Sequence, residues 1–161
     1  MKKILLIMMM LVSVAAVASA KVADDRFVIG GVSIGQTMSQ VETVCGEPVK
    51  TRSLNEFHFY EYGKNDEAEF VIRFRNGMAD TVNVAGSKGI ATLDGIKIGS
   101  AKKAIIKTYG EPDDHHRGIG FVSHPDAELI RYLSANGNMR MTFEVMRGKV
   151  LNFDIERFVS K

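Results

Sequence analysis

A chain of 161 residues, 45% hydrophobic and 25% charged, with 15 Gly, 3 Pro and one Cys, has room for one ordinary domain or two very small ones. This composition excludes disordered, collagen-like and coiled-coil proteins, and a single cysteine excludes both a disulfide framework and a Cys-rich zinc site. The formal charge of +2 points towards nucleic acid or a membrane surface only if the basic residues cluster in the folded part.

They do not. Residues 1–20 carry Lys2 and Lys3, then an uncharged apolar run over 4–17, then the small-residue exit Ala18-Ser19-Ala20, the three parts of a secretory signal peptide. The apolar run is too short for a membrane span, which needs about 20 residues. Cleavage is expected before Lys21, with no Cys there to carry a lipid, so the mature chain is expected to be periplasmic or secreted. Two of the 21 basic residues leave with the signal, and 19 Lys+Arg then face 19 Asp+Glu. A neutral chain with interspersed signs offers no footprint for a phosphate backbone.

The stretch from Gly31 to Pro48 recurs at a constant offset of 64 positions. Gly31, Ile34, Gly35, Gly46, Glu47 and Pro48 match Gly95, Ile98, Gly99, Gly110, Glu111 and Pro112. Between the glycines each stretch reads as a short helix. Thr37 and Gln40 form a capping box, with Met38, Val41, Val44 and Cys45 as the apolar stripe. The second helix has Ser100 as its expected cap and Ala101, Ala104, Ile105 and Tyr109 as its stripe. Cys45 thus stands where Tyr109 stands, and reads as a buried small hydrophobe.

Strands follow each helix. Residues 57–62 alternate, and then Ala68, Phe70, Ile72 and Phe74 share one face before Asn76-Gly77 turns the chain into 78–84. Later come 129–133, then Met139, Met141, Phe143 and Val145, a turn at Arg147-Gly148, and 150–155. Keeping all apolar residues on one face favours a three-residue loop at Gly148. That register sets Phe143 opposite Leu151, Met141 opposite Phe153, and Arg140 beside Asp154. The same loop at Gly77 sets Phe70 opposite Val82 and Ile72 opposite Asp80.

The expected fold class is therefore α+β, as two tandem units that each pack a short helical segment on an antiparallel β-meander. Residues 1–20 are the signal, 21–86 the first repeat and 87–161 the second, joined through Gly86-Ser87-Lys88-Gly89.

The order Ile34-Gly35-Gln36-Thr37, helix, Gly46-Glu47-Pro48, strands, Phe74-Arg75-Asn76-Gly77 resembles the BamE/SmpA family of envelope assembly proteins. Ile98-Gly99-Ser100, Gly110-Glu111-Pro112 and residues 145–150 repeat it, and the tandem form is similar to the beta-lactamase inhibitory protein fold. The resemblance implies a protein-binding role without enzymatic activity and assigns no functional residue.

The residues themselves offer two candidate sites. If Phe57 and Phe59 point inward, His58, Tyr60, Tyr62, Val71 and Arg73 line the open sheet face, and Tyr and Arg are the types that anchor protein interfaces. The loop 113–126 holds Asp113, Asp114, Asp126, His115, His116 and His124; the three histidines would be the metal ligands if the loop folds back to converge them. No nucleophile with an acid/base partner and no phosphate loop appears, so neither an enzyme nor a cofactor is expected. The reading is an exported, non-enzymatic module for a protein partner in the envelope or extracellular space. A secreted inhibitor of a hydrolase and a metal-binding protein are the alternatives.

Overall fold

The structure, a computed structural model, describes residues 21–64, 67–86, 89–117 and 124–158. The expected signal segment 1–20 lies outside them, as do the middle of the 86–89 linker and residues 118–123 of the histidine loop. Two short strands come first, β1 (Val28–Ile29) and β2 (Val32–Ser33), then helix α1 (Met38–Cys45). Strands β3 (Lys50–Leu54), β4 (Phe57–Lys64), β5 (Glu67–Arg75) and β6 (Met78–Val84) precede helix α2 (Lys102–Tyr109). The chain ends on β7 (Asp114–Arg117), β8 (Glu128–Leu133), β9 (Met139–Met146) and β10 (Lys149–Arg157).

This arrangement corrects the expectation of two helix-on-meander units. The main strands form one antiparallel sheet in the order β3-β4-β5-β6-β10-β9-β8-β7, with β1 and β2 as a separate ribbon. The junction is β6 against β10, where Val84 faces Phe153, Asn83 faces Asp154 and Val82 faces Ile155. Unpaired, these strands would each expose an apolar edge with free backbone donors and acceptors; pairing them removes both edges and joins the two apolar faces into one core. Ile72, Phe74 and Val82 from one end and Phe143, Phe153 and Ile155 from the other are fully buried in the same cluster.

The hairpin registers differ from the expected ones for a definable reason. Asn76-Gly77 and Arg147-Gly148 both have positive φ at both positions, the two-residue turn that matches strand twist. The phase of the apolar pattern is restored by bulges further along, rather than by longer loops. In β6 the bulge absorbs Asp80, so Ala79 and Val82, three apart, both face inward, with Phe70 opposite Val84, Ile72 opposite Val82 and Phe74 opposite Ala79. In β10 it absorbs Leu151, so Val150 and Phe153 both face inward, with Phe143 opposite Phe153 and Met141 opposite Ile155. Arg140 consequently stands opposite Glu156, to which it bonds, with Asp154 diagonal to it on the same face.

The helices cover one face. Thr37 caps α1 by accepting from the Gln40 amide, and the Gln40 side chain accepts from the Thr37 amide in return. Val41 is buried, and Met38 and Cys45 pack half-buried on the core, but Val44 is 50% exposed on the helix flank. The cap of α2 is Ala101, not Ser100, and it makes no side-chain bond; the Ser100 hydroxyl instead accepts from the Lys97 amide in the preceding turn. Ile105 and Tyr109 are its buried residues.

Candidate functional site

Cross-strand partners share a face, so the register decides what lines the open side. Tyr60 stands opposite Ile72, Tyr62 opposite Phe70 and His58 opposite Phe74, which puts all three on the helix-covered face. Tyr60 donates to Glu42 Oε1 at 2.7 Å and Tyr62 to the Gly46 carbonyl at 3.2 Å, holding α1 against the sheet. His58 Nδ1 sits 2.8 Å from the Ser53 hydroxyl near the sheet edge. The face expected for these three is therefore wrong, because Phe57 and Phe59 point outward. Of the five residues singled out, Val71 and Arg73 lie on the open face.

That face is a concave groove of about 660 Å³ crossing six strands. Its rim on the β3–β5 side alternates rings with guanidiniums. Arg52 lies 3.9 Å over the Phe59 ring, and Arg73 and Arg75 lie 5.0 and 4.7 Å from the Phe57 ring. Asp80, the residue extruded by the β6 bulge, binds Arg73 at 2.7 Å and sits 3.6 Å from Arg75. On the opposite side Arg131 binds Asp114 at 2.8 Å and Arg140 binds Glu156. His116 adds a bond to Asp114; burial raises that carboxyl, but the bonds from His116 and Arg131 outweigh it and hold the group below its ordinary value.

Asp154 stands on the floor at the β6–β10 junction, between Asn83 and Thr142. Burial pushes its carboxyl up to about 7; Glu156 adds to the rise, and Arg140 and Arg131 oppose it. Two further floor groups, Thr81 Oγ1 and Arg131 Nε, are buried without a hydrogen-bond partner among the described residues. Buried polar groups are nearly always bonded, so these two call for a partner, which water or a ligand can supply. The groove thus brings together guanidiniums, amides, hydroxyls and the carboxyls of Glu144, Asp154 and Glu156, with Phe59, Val71 and Leu129 as apolar contacts.

The three histidines do not converge. His115 and His116 are adjacent on β7, a strand in place of the expected loop, so their side chains leave opposite faces of the sheet. His115 Nε2 lies 2.9 Å from Glu128 Oε2 on the helix side, where Lys102 bonds the same oxygen; Lys102 first and His115 second lower the Glu128 pKa. His116 bonds Asp114 on the open side, and the His124 amide donates to Glu144 Oε1. Among the described residues no three His, Cys, Asp or Glu side chains gather as a metal site.

Sequence reasoning missed Phe57, Phe59, Arg131 and Asp154 as groove residues. The strict alternation of 57–62 suits either face, and only the pairing with β5 settles it. One signal points the right way: the even positions Phe70, Ile72 and Phe74 are more apolar than Val71 and Arg73, and a register joining Tyr60 to Ile72 follows if Tyr hydroxyls reach a helix end.

No family model matches the chain, and no curated protein matches its sequence. Its fold is similar to that of a cysteine-rich secretory protein from Staphylococcus aureus subsp. aureus Mu50, with a TM-score of 0.57 and 12% identity over 86% of this chain and 49% of that one. It is also similar to an extracellular protein containing an SCP domain from Bacillus anthracis str. Ames, with a TM-score of 0.50 and 12% identity over 77% and 44% of the two chains. A DUF4309 family protein from Bacillus subtilis subsp. subtilis str. 168 matches with a TM-score of 0.50 and 14% identity over 80% and 83%. The matches span about half the length of the first two proteins, and at such identities the likeness is one of fold alone. None of these three is a BamE/SmpA protein or the beta-lactamase inhibitory protein.

Proposed function

We propose that the protein is an exported, non-enzymatic binding module that holds a segment of another envelope or extracellular protein along the open face of its sheet. The observation that carries this reading is the groove of about 660 Å³, whose floor keeps buried polar groups available for bonding and whose rim presents arginines and phenylalanines. Arg and aromatic side chains dominate interface energetics, and a broad concave face suits a polypeptide better than a small substrate. Export is supported by the pattern of residues 1–20 and agrees with the secretory and extracellular descriptions of the structural neighbours. Among the described residues no helix is long and apolar enough to cross a membrane.

The test is capture from envelope and culture-supernatant fractions by the wild-type chain, by Asn83→Arg, which plugs the groove beside Asp154, and by Lys103→Glu on the exposed side of α2. A partner held by wild type and Lys103→Glu but lost with Asn83→Arg supports the reading. Equal capture by all three removes the groove as the binding face. A captured soluble hydrolase that loses activity on binding would identify the module as an inhibitor.

A further inference from the structure

The two helices meet the sheet in parallel ways, yet one seam is filled and the other is not. Each helix ends on a glycine whose last carbonyl is capped by a tyrosine from the sheet: Tyr62 donates to Gly46 at 3.2 Å and Tyr132 to Gly110 at 3.0 Å. The last helical residue is Tyr109 in α2 and Cys45 in α1. The Tyr109 ring fills its seam, with centroids 5.3 Å from Tyr132 and 5.7 Å from Phe143, and its hydroxyl donates to Thr92 Oγ1 at 2.9 Å. Arg26, paired with Asp94, closes over it with its guanidinium 4.9 Å from the ring centre.

At the α1 seam each of these fillers has a smaller or non-bonding counterpart 64 positions away. Cys45 stands for Tyr109, Gly30 for Asp94 and Ile90 for Arg26. The result is an open hollow of about 250 Å³ lined by Gly30, Val44, Cys45, Tyr62, Phe70 and Ile90, with Gly63 and Glu69 completing the lining. Apolar cavities of about 150 Å³ already hold benzene, so this one accommodates a substituted ring.

We propose that the hollow beside Cys45 is a binding site for a small molecule bearing an uncharged aromatic ring, of which a phenol is the best fit, seated as Tyr109 is seated in the other seam. The Tyr62 and Phe70 rings, 5.7 Å apart, supply edge and offset contacts to it, and Val44 and Ile90 supply its aliphatic walls. An anionic ring acid is disfavoured, because its charge would be desolvated in a hollow whose described lining includes Glu69 and no cation. This site is on the helix-covered side of the sheet and stands or falls independently of the open-face groove.

The probe is p-cresol, which reproduces the tyrosine side chain, with benzoate as the charged control. Cys45 is the only cysteine, so its labelling by a neutral thiol reagent at mildly alkaline pH, kept below the phenol pKa of about 10 so that p-cresol stays uncharged, reports occupancy at one atom. Burial raises the thiol pKa, which makes the alkaline condition necessary. The expected results are saturable p-cresol shifts in NMR spectra, labelling of Cys45 slowed several-fold at saturation, and benzoate at least about tenfold weaker. Cys45→Tyr, read by the shifts alone, should abolish p-cresol binding by placing the chain's own ring in the hollow. If that variant fails to fold, Ile90→Phe fills the same space from the opposite wall and should weaken both readouts. Absence of saturable shifts, unaltered labelling, equal protection by benzoate, or wild-type p-cresol binding by a folded filled variant would each overturn the assignment.

Discussion

The α1 and α2 seams differ mainly in how much of the space between helix and sheet is occupied. At α2, Tyr109, Tyr132 and Phe143 form a packed aromatic group, and burial drives the Tyr132 hydroxyl pKa up to about 12 and that of Tyr109 higher still. At α1 the rings come from the sheet alone: Tyr60 packs edge-on against Phe74 at 4.8 Å and Tyr62 lies 5.7 Å from Phe70, while the helix contributes the small Cys45. Both helices are eight residues long and both are pinned by a tyrosine at the terminal glycine. Attachment of a helix and filling of its seam are therefore separable: hydrogen bonds at the ends position it, while the packing side chains set how strongly it is held.

The largest expected effect comes from emptying the filled seam. Tyr109→Ala removes the ring contacts to Tyr132 and Phe143, the Arg26 guanidinium contact and the hydroxyl bond to Thr92, and should destabilise by about 3–5 kcal/mol in urea unfolding. Cys45→Ala at the open seam should cost less than about 1 kcal/mol, because few contacts are lost there. Equal losses at the two positions would show that the seams are not packed differently.

Asp154 belongs to neither seam, since it lies where the two ends of the sheet join on the opposite face. Its carboxyl is raised to about 7 in the fold, against about 3.9 in an unfolded chain. Between those values the folded state binds more protons, so the contribution is fully present below about pH 4 and is lost as pH rises towards about 7. The slope is at most about 1.4 kcal/mol per pH unit through that window. Asp154→Asn should flatten it and raise stability above pH 7 relative to wild type, measured as denaturation midpoint against pH. An unchanged slope would place the titration elsewhere.

Smaller effects sharpen the contrast at the helix starts. Thr37→Ala breaks the capping box of α1 and should cost about 1 kcal/mol, whereas Ala101→Ser supplies a missing acceptor to α2 and should add about 0.5 kcal/mol. Opposite signs in thermal melts are the expected outcome; a neutral Ala101→Ser would mean that the bridge of residue 101 to Lys149 already fixes that end.

Local features are legible in the residues alone. The box at Thr37 and Gln40, the stop at Gly46 and Gly110, and the inward sets Phe70-Ile72-Phe74 and Met141-Phe143-Val145 all depend on neighbours within a few residues. Edge strands β3 and β7 are not legible, since an edge strand with little apolar alternation takes its form from the strand beside it. The open-face assignment of His58, Tyr60 and Tyr62 fails for a related reason: a strand flanked by aromatic residues on both sides has no preferred face until its partner is known.

By itself, the sequence determined the helices, their stops, the apolar face of each central strand and the positions of the tight turns, because these follow from backbone sterics and short-range side-chain chemistry. Even the bulges were written in it, as the three-residue spacings from Ala79 to Val82 and from Val150 to Phe153. Only the tertiary structure decided that β6 pairs with β10 to make one sheet, which residues face the groove, and that Asp154 lies on its floor. Those outcomes depend on contacts between residues some seventy positions apart. Their energy comes from burying two apolar edges at once, and no local pattern encodes which edges those will be.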